Sequence, residues 1–110
     1  MDRRGFVAVA VITISYKHGV KMNQDYYMTT HVPIVARVWG AQGMERAEIR
    51  KLTAAADGSS PPYQIIASVY FPSLEAFQAA LQHPSNAEVM DDIKNYYEGM
   101  PDIYFGEVLS

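Results

Sequence analysis

The spacing of apolar residues along the chain switches repeatedly between a period of two and a period near 3.6, the signatures of strand and helix. Residues 6–16 are rich in β-branched side chains and predict a strand. Val7, Val9, Val11 and Thr13 would share one face, and Ala8, Ala10, Ile12 and Ile14 the other, so both faces should be covered. A polar connection follows, where Gly19 is free to take positive φ. From Asn23 onward the period lengthens: Met28, Val32, Val35 and Trp39 fall on one helix face at 100° per residue, with His31 at its edge. Asn23 or Asp25 can cap this helix, and Gly40 or Gly43 ends it. Pro33 lacks an N–H and crowds the carbonyl of Thr29, which predicts a kink or break around His31.

Residues 44–53 predict a second strand whose Glu45, Arg46, Glu48, Arg50 and Lys51 suit an exposed edge. Asp57-Gly58-Ser59-Ser60-Pro61-Pro62 reads as a hairpin tip, not a domain linker. The third strand covers residues 63–71, with Tyr63, Ile65, Ala67, Val69 and Phe71 opposed to Gln64, Ile66, Ser68 and Tyr70. Ser73 caps a short helix carrying Leu74, Phe77, Ala80 and Leu81, and Pro84 interrupts it. Ser85 with Glu88 forms a capping box opening a further helix that turns Val89, Ile93 and Tyr96 inward. A fourth strand spans 102–108. The order βαββαβ predicts a single α+β domain over residues 1–110, a ferredoxin-like four-stranded antiparallel sheet with strands one and three central. Helices can shield only one face of it. The other face, apolar by this pattern, predicts a second copy packed sheet to sheet.

The 110 residues suffice for one core. The absence of cysteine removes disulfides, thiol catalysis and thiolate metal sites, and fits a reducing cytoplasmic setting. A net charge of −3 offers no general attraction to nucleic acid or anionic lipid, and no apolar run approaches the roughly 20 residues of a membrane span. Arg3 and Arg4 before an apolar run raise a secretory-signal reading, but Thr13, Ser15 and Tyr16 continue the pattern as a strand with no cleavage site.

Tyr26-Tyr27-x-x-x-His31-x-Pro33, the Pro61-Pro62-Tyr63 start of a strand, Phe71-x-Ser73-x-x-Ala76-Phe77 and Val89-x-Asp91-Asp92-Ile93 together resemble the EthD family of the dimeric α+β barrel superfamily, over about residues 7–108. The resemblance implies a ferredoxin-like subunit pairing sheet to sheet, with a pocket between sheet and helices. Relatives in that superfamily include lactone isomerases, polyketide cyclases, small monooxygenases and haem-degrading proteins. EthD proteins themselves are associated with degradation of ether and aromatic compounds, so the resemblance supplies a fold more firmly than a reaction.

Among candidate chemical groups, His31 stands first, since an imidazole with an unperturbed pKa of about 6.5 can take or give a proton near neutrality. Its structural alternative is a pin for the carbonyl released by Pro33. Tyr27, on the same side of the helix, would help position a substrate; Val35, one turn past His31, and Tyr63 and Tyr104, by strand position, are candidate ligand contacts. Most other tyrosines, and Trp39, would complete the core or an interface. Asp91 and Asp92 point about 100° apart on a helix and cannot act as a carboxylate pair. Asp92, one turn before Tyr96, is retained among the candidate ligand contacts, with Asp91 or Asp92 orienting a partner, against the alternatives of surface or capping. His18 and His83 read as surface. Three scattered histidines without cysteine predict no metal site, and Gly40-Ala41-Gln42-Gly43 is not a phosphate loop. The expectation is a cofactor-independent enzyme acting on an apolar, oxygen-bearing aromatic or polyketide-type compound, with His31 as acid/base. The alternatives are a non-catalytic dimer that carries a hydrophobic metabolite and, third, a haem-handling protein with His31 as axial ligand.

Overall fold

The computed structural model describes residues 9–109, so the predicted start of the first strand at residues 6–8 and the signal-like residues 1–5 lie outside the described residues. Strand β1 (Ala10–Lys17) pairs antiparallel with both β3 (Tyr63–Phe71) and β4 (Asp102–Glu107), while β2 (Arg46–Lys51) lies at the edge beside β3. The sheet order β2-β3-β1-β4 is the ferredoxin-like α+β arrangement, with the most apolar strands central and charged β2 exposed. Helix α3 (Leu74–Gln82) begins at Ser73, whose hydroxyl accepts from the Ala76 N–H at 3.1 Å.

The predicted capping box at Ser85 does not form. Helix α4 (Asn86–Asp92) starts without a side-chain cap, because the Ser85 hydroxyl instead pairs with His83 Nδ1 at 2.7 Å. Glu88 is likewise engaged elsewhere, by Arg37. His83 and His18 are both exposed, as their loop positions predict.

The first helical run holds the largest departure from the sequence pattern. Asn23 caps α1 (Gln24–Tyr26), accepting from the Tyr26 N–H at 2.9 Å. The run then widens into a π-helical segment, Tyr27–His31, and continues as α2 (Val32–Gly40). The Val32 N–H bonds the Tyr27 carbonyl five residues back, and Pro33 falls at the start of α2, where a missing N–H is tolerated. The predicted kink is thus absorbed by one wide turn, with helical backbone on either side. The extra residue rotates the inward face. Met28, predicted on the stripe, is 47% exposed, while Trp39 is buried and Val32 and Val35 half-buried as predicted, and Tyr27, His31 and Val38 are buried beside them.

All helices lie against the face of the sheet that carries Ile12, Tyr16, Ile65, Val69 and Phe71. The core on that side divides into two clusters, one built around Trp39, Phe71 and Phe77, the other around Tyr16, Tyr27, Tyr96 and Tyr97. The opposite face is less apolar than the pattern predicts, because guanidinium groups from β2 reach across it. Arg46 lies 4.0 Å over the Tyr70 ring, and Arg50 donates to the Ser68 hydroxyl. None of the helices among the described residues is long and apolar enough to cross a membrane.

Candidate active site

The π turn and the end of α4 together build the site. His31 leaves the wide turn pointing under the sheet, 4% exposed, and its Nδ1 meets Asp92 Oδ2 at 2.9 Å across 61 residues of sequence. Beside a carboxylate, Nδ1 is the protonated nitrogen and donates; the lone pair then sits on Nε2. Asp92 is itself held on its other oxygen, Oδ1, by the Tyr26 hydroxyl at 2.6 Å and by Asn95 Nδ2 at 2.9 Å. The Tyr27 ring stacks against the imidazole at 5.7 Å between centroids and Tyr96 packs at 4.5 Å, so the ring is clamped in plane as well as by its hydrogen bond. The Tyr16 and Tyr96 hydroxyls bond each other at 2.7 Å.

These surroundings set the electrostatics. Burial lowers the His31 pKa below 6.5, only partly opposed by the bond to Asp92, so the imidazole is neutral at physiological pH. Burial also penalises the Asp92 carboxylate, but the bonds from Tyr26, Asn95 and His31 outweigh it and hold its pKa below the usual carboxylate value. Burial raises the phenols of Tyr16, Tyr27 and Tyr96, which therefore stay protonated. The result is a neutral imidazole backed by an ionised carboxylate.

A cavity of about 70 Å³ opens beside His31 between sheet and helices. On that measure a single water needs roughly 10–15 Å³, so there is room for a small molecule. Ile14, Val35, Trp39, Val69, Val89 and Ile93 wall it with hydrocarbon, and its lining residues Ala36, Ala47, Met90 and Ile103 are exposed where it meets the surface. Among the described residues every fully buried side-chain nitrogen or oxygen has a hydrogen-bond partner, whereas His31 Nε2 has none; Nε2 therefore keeps accessible surface, and His31 lines this cavity.

Four of the six predicted site residues come together here: His31, Tyr27 and Val35 line the cavity, and Asp92, expected as a ligand contact, is outside the lining and bonds the imidazole instead. The predicted alternative partner of His31, a carbonyl freed by Pro33, is replaced by Asp92. Tyr63 and Tyr104 are not brought to the cavity. Tyr104 pairs with Thr13 and so points to the opposite face from Ile103, which pairs with Ile14 and lines the cavity. The register between β1 and β3 slips between Tyr16 and Lys17, so that Lys17 pairs with Tyr63. Strict alternation from Ile65 is lost there, and the Tyr63 hydroxyl goes instead to Asp102 at 3.1 Å. There the Tyr104 and Asp102 contacts push the Tyr63 pKa up to about 12. Tyr26, Asn95 and Tyr96 complete the site, although the sequence pattern names none of them as a site residue. The spacing Asp92-x-x-Asn95-Tyr96, one helical turn, was the available signal.

Residues 22–99 match the model of the EthD domain. The chain belongs to the EthD family. An EthD-like protein from Ralstonia eutropha JMP134 is 26% identical over 96% of both chains, with a TM-score of 0.83. Hydroxynitrile lyase from Passiflora edulis shares the fold at 10% identity, with 94% of each chain covered and a TM-score of 0.68. So does SnoaB, a cofactor-independent oxygenase from Streptomyces nogalater, at 13% identity, over 93% of this chain and 91% of that one, with a TM-score of 0.60. No curated protein matches the EthD chain described here.

Proposed function

We propose that this EthD protein is a cofactor-independent enzyme that moves a proton on an apolar, oxygen-bearing aromatic or polyketide-type compound, with His31 as acid/base. The observation that carries this reading is the His31–Asp92 pair beside an apolar cavity that His31 lines, with Nδ1 committed to Asp92 and Nε2 left for a substrate. Asp92 fixes the tautomer, and the imidazolium that forms when Nε2 takes a proton gains its countercharge at 2.9 Å. Tyr27 holds the ring plane. Isomerisation, cyclisation, elimination and oxygenation of an activated ring all begin with such a transfer, and the likeness in fold to a lyase and to an oxygenase that needs no cofactor supports the same class. The assembly is a homodimer through the sheet face without helices, where Tyr104 is 56% exposed, and the enzyme is cytoplasmic.

The test is a panel of single-ring phenols and ketones incubated in D₂O, with C–H exchange and conversion followed by NMR for the wild type and His31→Ala. Catalysed exchange that falls about 10²–10⁴-fold in the variant is expected. Binding without conversion, equal in both proteins, would replace this reading with that of a carrier of hydrophobic metabolites. Sedimentation checks the assembly: a species of a single chain mass would refute the dimer.

A further inference from the structure

We propose that the cavity selects an uncharged, single-ring compound carrying a weakly acidic O–H, of phenol or enol type, which donates a hydrogen bond to His31 Nε2. This rests on the cavity being the substrate site. Two features of the lining make the choice.

The first is charge. Among the described residues, none that lines the cavity carries a formal charge apart from a proton on His31 itself. An anionic ligand would leave water to meet hydrocarbon and, directly behind the imidazole, the Asp92 carboxylate. No lysine or arginine offers it a partner. The second is polarity of the opposite kind. The Tyr16 hydroxyl is already taken by Tyr96 at 2.7 Å, and the Tyr27 hydroxyl is turned toward that of Tyr16 and engaged with it. The Trp39 indole N–H is tied to Asn86 at 2.9 Å, so among the described lining side chains Nε2 is the polar atom left to a ligand, and with the Nδ1 proton committed to Asp92 it is an acceptor. A ligand oxygen without hydrogen, as in an ether or ester, would set lone pair against lone pair and leave Nε2 unpaired. An O–H meets it correctly. Burial, which holds the imidazole pKa below 6.5, keeps that acceptor available at neutral pH. The volume of about 70 Å³ limits the body of the ligand to about one ring, with any substituents directed past Ala36 and Met90 toward the surface.

Phenol, anisole and benzoate separate these features at one ring size. Titrations of the full chain at pH 7.5, where phenol is neutral, are followed by calorimetry and by the ¹⁵N signals of the His31 imidazole. Phenol should bind at least tenfold more tightly than anisole, benzoate should not bind measurably, and only phenol should move the Nε2 resonance. His31→Phe should erase the preference of phenol over anisole while anisole still binds. If that variant does not fold, the Nε2 signal of the wild type decides alone. Anisole or benzoate binding as tightly as phenol, or a Nε2 signal unmoved by phenol, overturns the proposal while leaving the cavity as a binding site. No binding by any of the three overturns the proposal together with the reading of the cavity on which it rests.

Discussion

The two halves of the core beneath the sheet lie against the same strands and are opposite in character. At one end Trp39, Phe71 and Phe77 pack edge to face at 5.2–6.1 Å, and the indole N–H is tied off by Asn86 at 2.9 Å. At the other end the aromatic area comes from Tyr16, Tyr27, Tyr96 and Tyr97, so each ring brings a hydroxyl, and a histidine–carboxylate pair sits among them. Phenylalanine would fill the second end as well. The tyrosines cost desolvation of their hydroxyls and are matched by internal bonds such as Tyr16 to Tyr96 and the Lys17 N–H to Tyr97. One end holds the fold together; the other is organised around an ionisable group.

This contrast can be broken or sharpened by substitution. Phe71→Ala, at the dry end, should cost the most stability, about 3–5 kcal/mol by chemical denaturation, without moving the His31 ¹⁵N signals. Asp92→Asn should leave a folded protein whose turnover drops about 10²-fold, with a rearranged imidazole tautomer visible by NMR; retention of full activity would remove Asp92 from the site. Tyr16→Phe leaves the buried Tyr96 hydroxyl without its partner and should cost about 1–3 kcal/mol, although no apolar area is lost.

A pH series separates the ends without any substitution. The folded His31 pKa lies below the unfolded value of 6.5, so its contribution is fully present above that value and lost as pH falls through the region beneath it. Asp92, also lowered, adds a second loss below 3.8. The phenols of Tyr16, Tyr27 and Tyr96 are raised, so their contributions are lost above pH 10. In Phe71→Ala these slopes should persist; in a His31→Phe variant the step just below 6.5 should vanish. Smallest of all, Arg37→Ala removes an exposed ion pair with Glu88 and should leave the unfolding midpoint unchanged within error.

Strand order was legible because β1 and β3 carry apolar residues at nearly every position while β2 carries charges, and those two facts alone place them. His31 was legible because an imidazole beside an apolar stripe and a proline is a conspicuous local combination. Its partner was much less so. Asp92 is 61 positions away, and nothing in the period of either helix records that their ends meet. Two other departures share one cause: a single residue added to a regular element. The wide turn before Pro33 exposed Met28, and the slipped register at Tyr16/Lys17 carried Tyr63 to the far face. Period-based reading assumes that every residue advances the chain by the same angle, and at both places one did not.

The wide turn separates two things that a protein usually improves together. Removing one residue from the span between Met28 and Thr30, with Pro33 replaced by alanine, would let Gln24 through Gly40 wind as ordinary α-helix, with better-aligned hydrogen bonds, and would swing the imidazole about 100° toward solvent. The more regular segment would be the idle one. Any search for sturdier variants of this chain that rewards helix quality alone will tend to delete its chemistry.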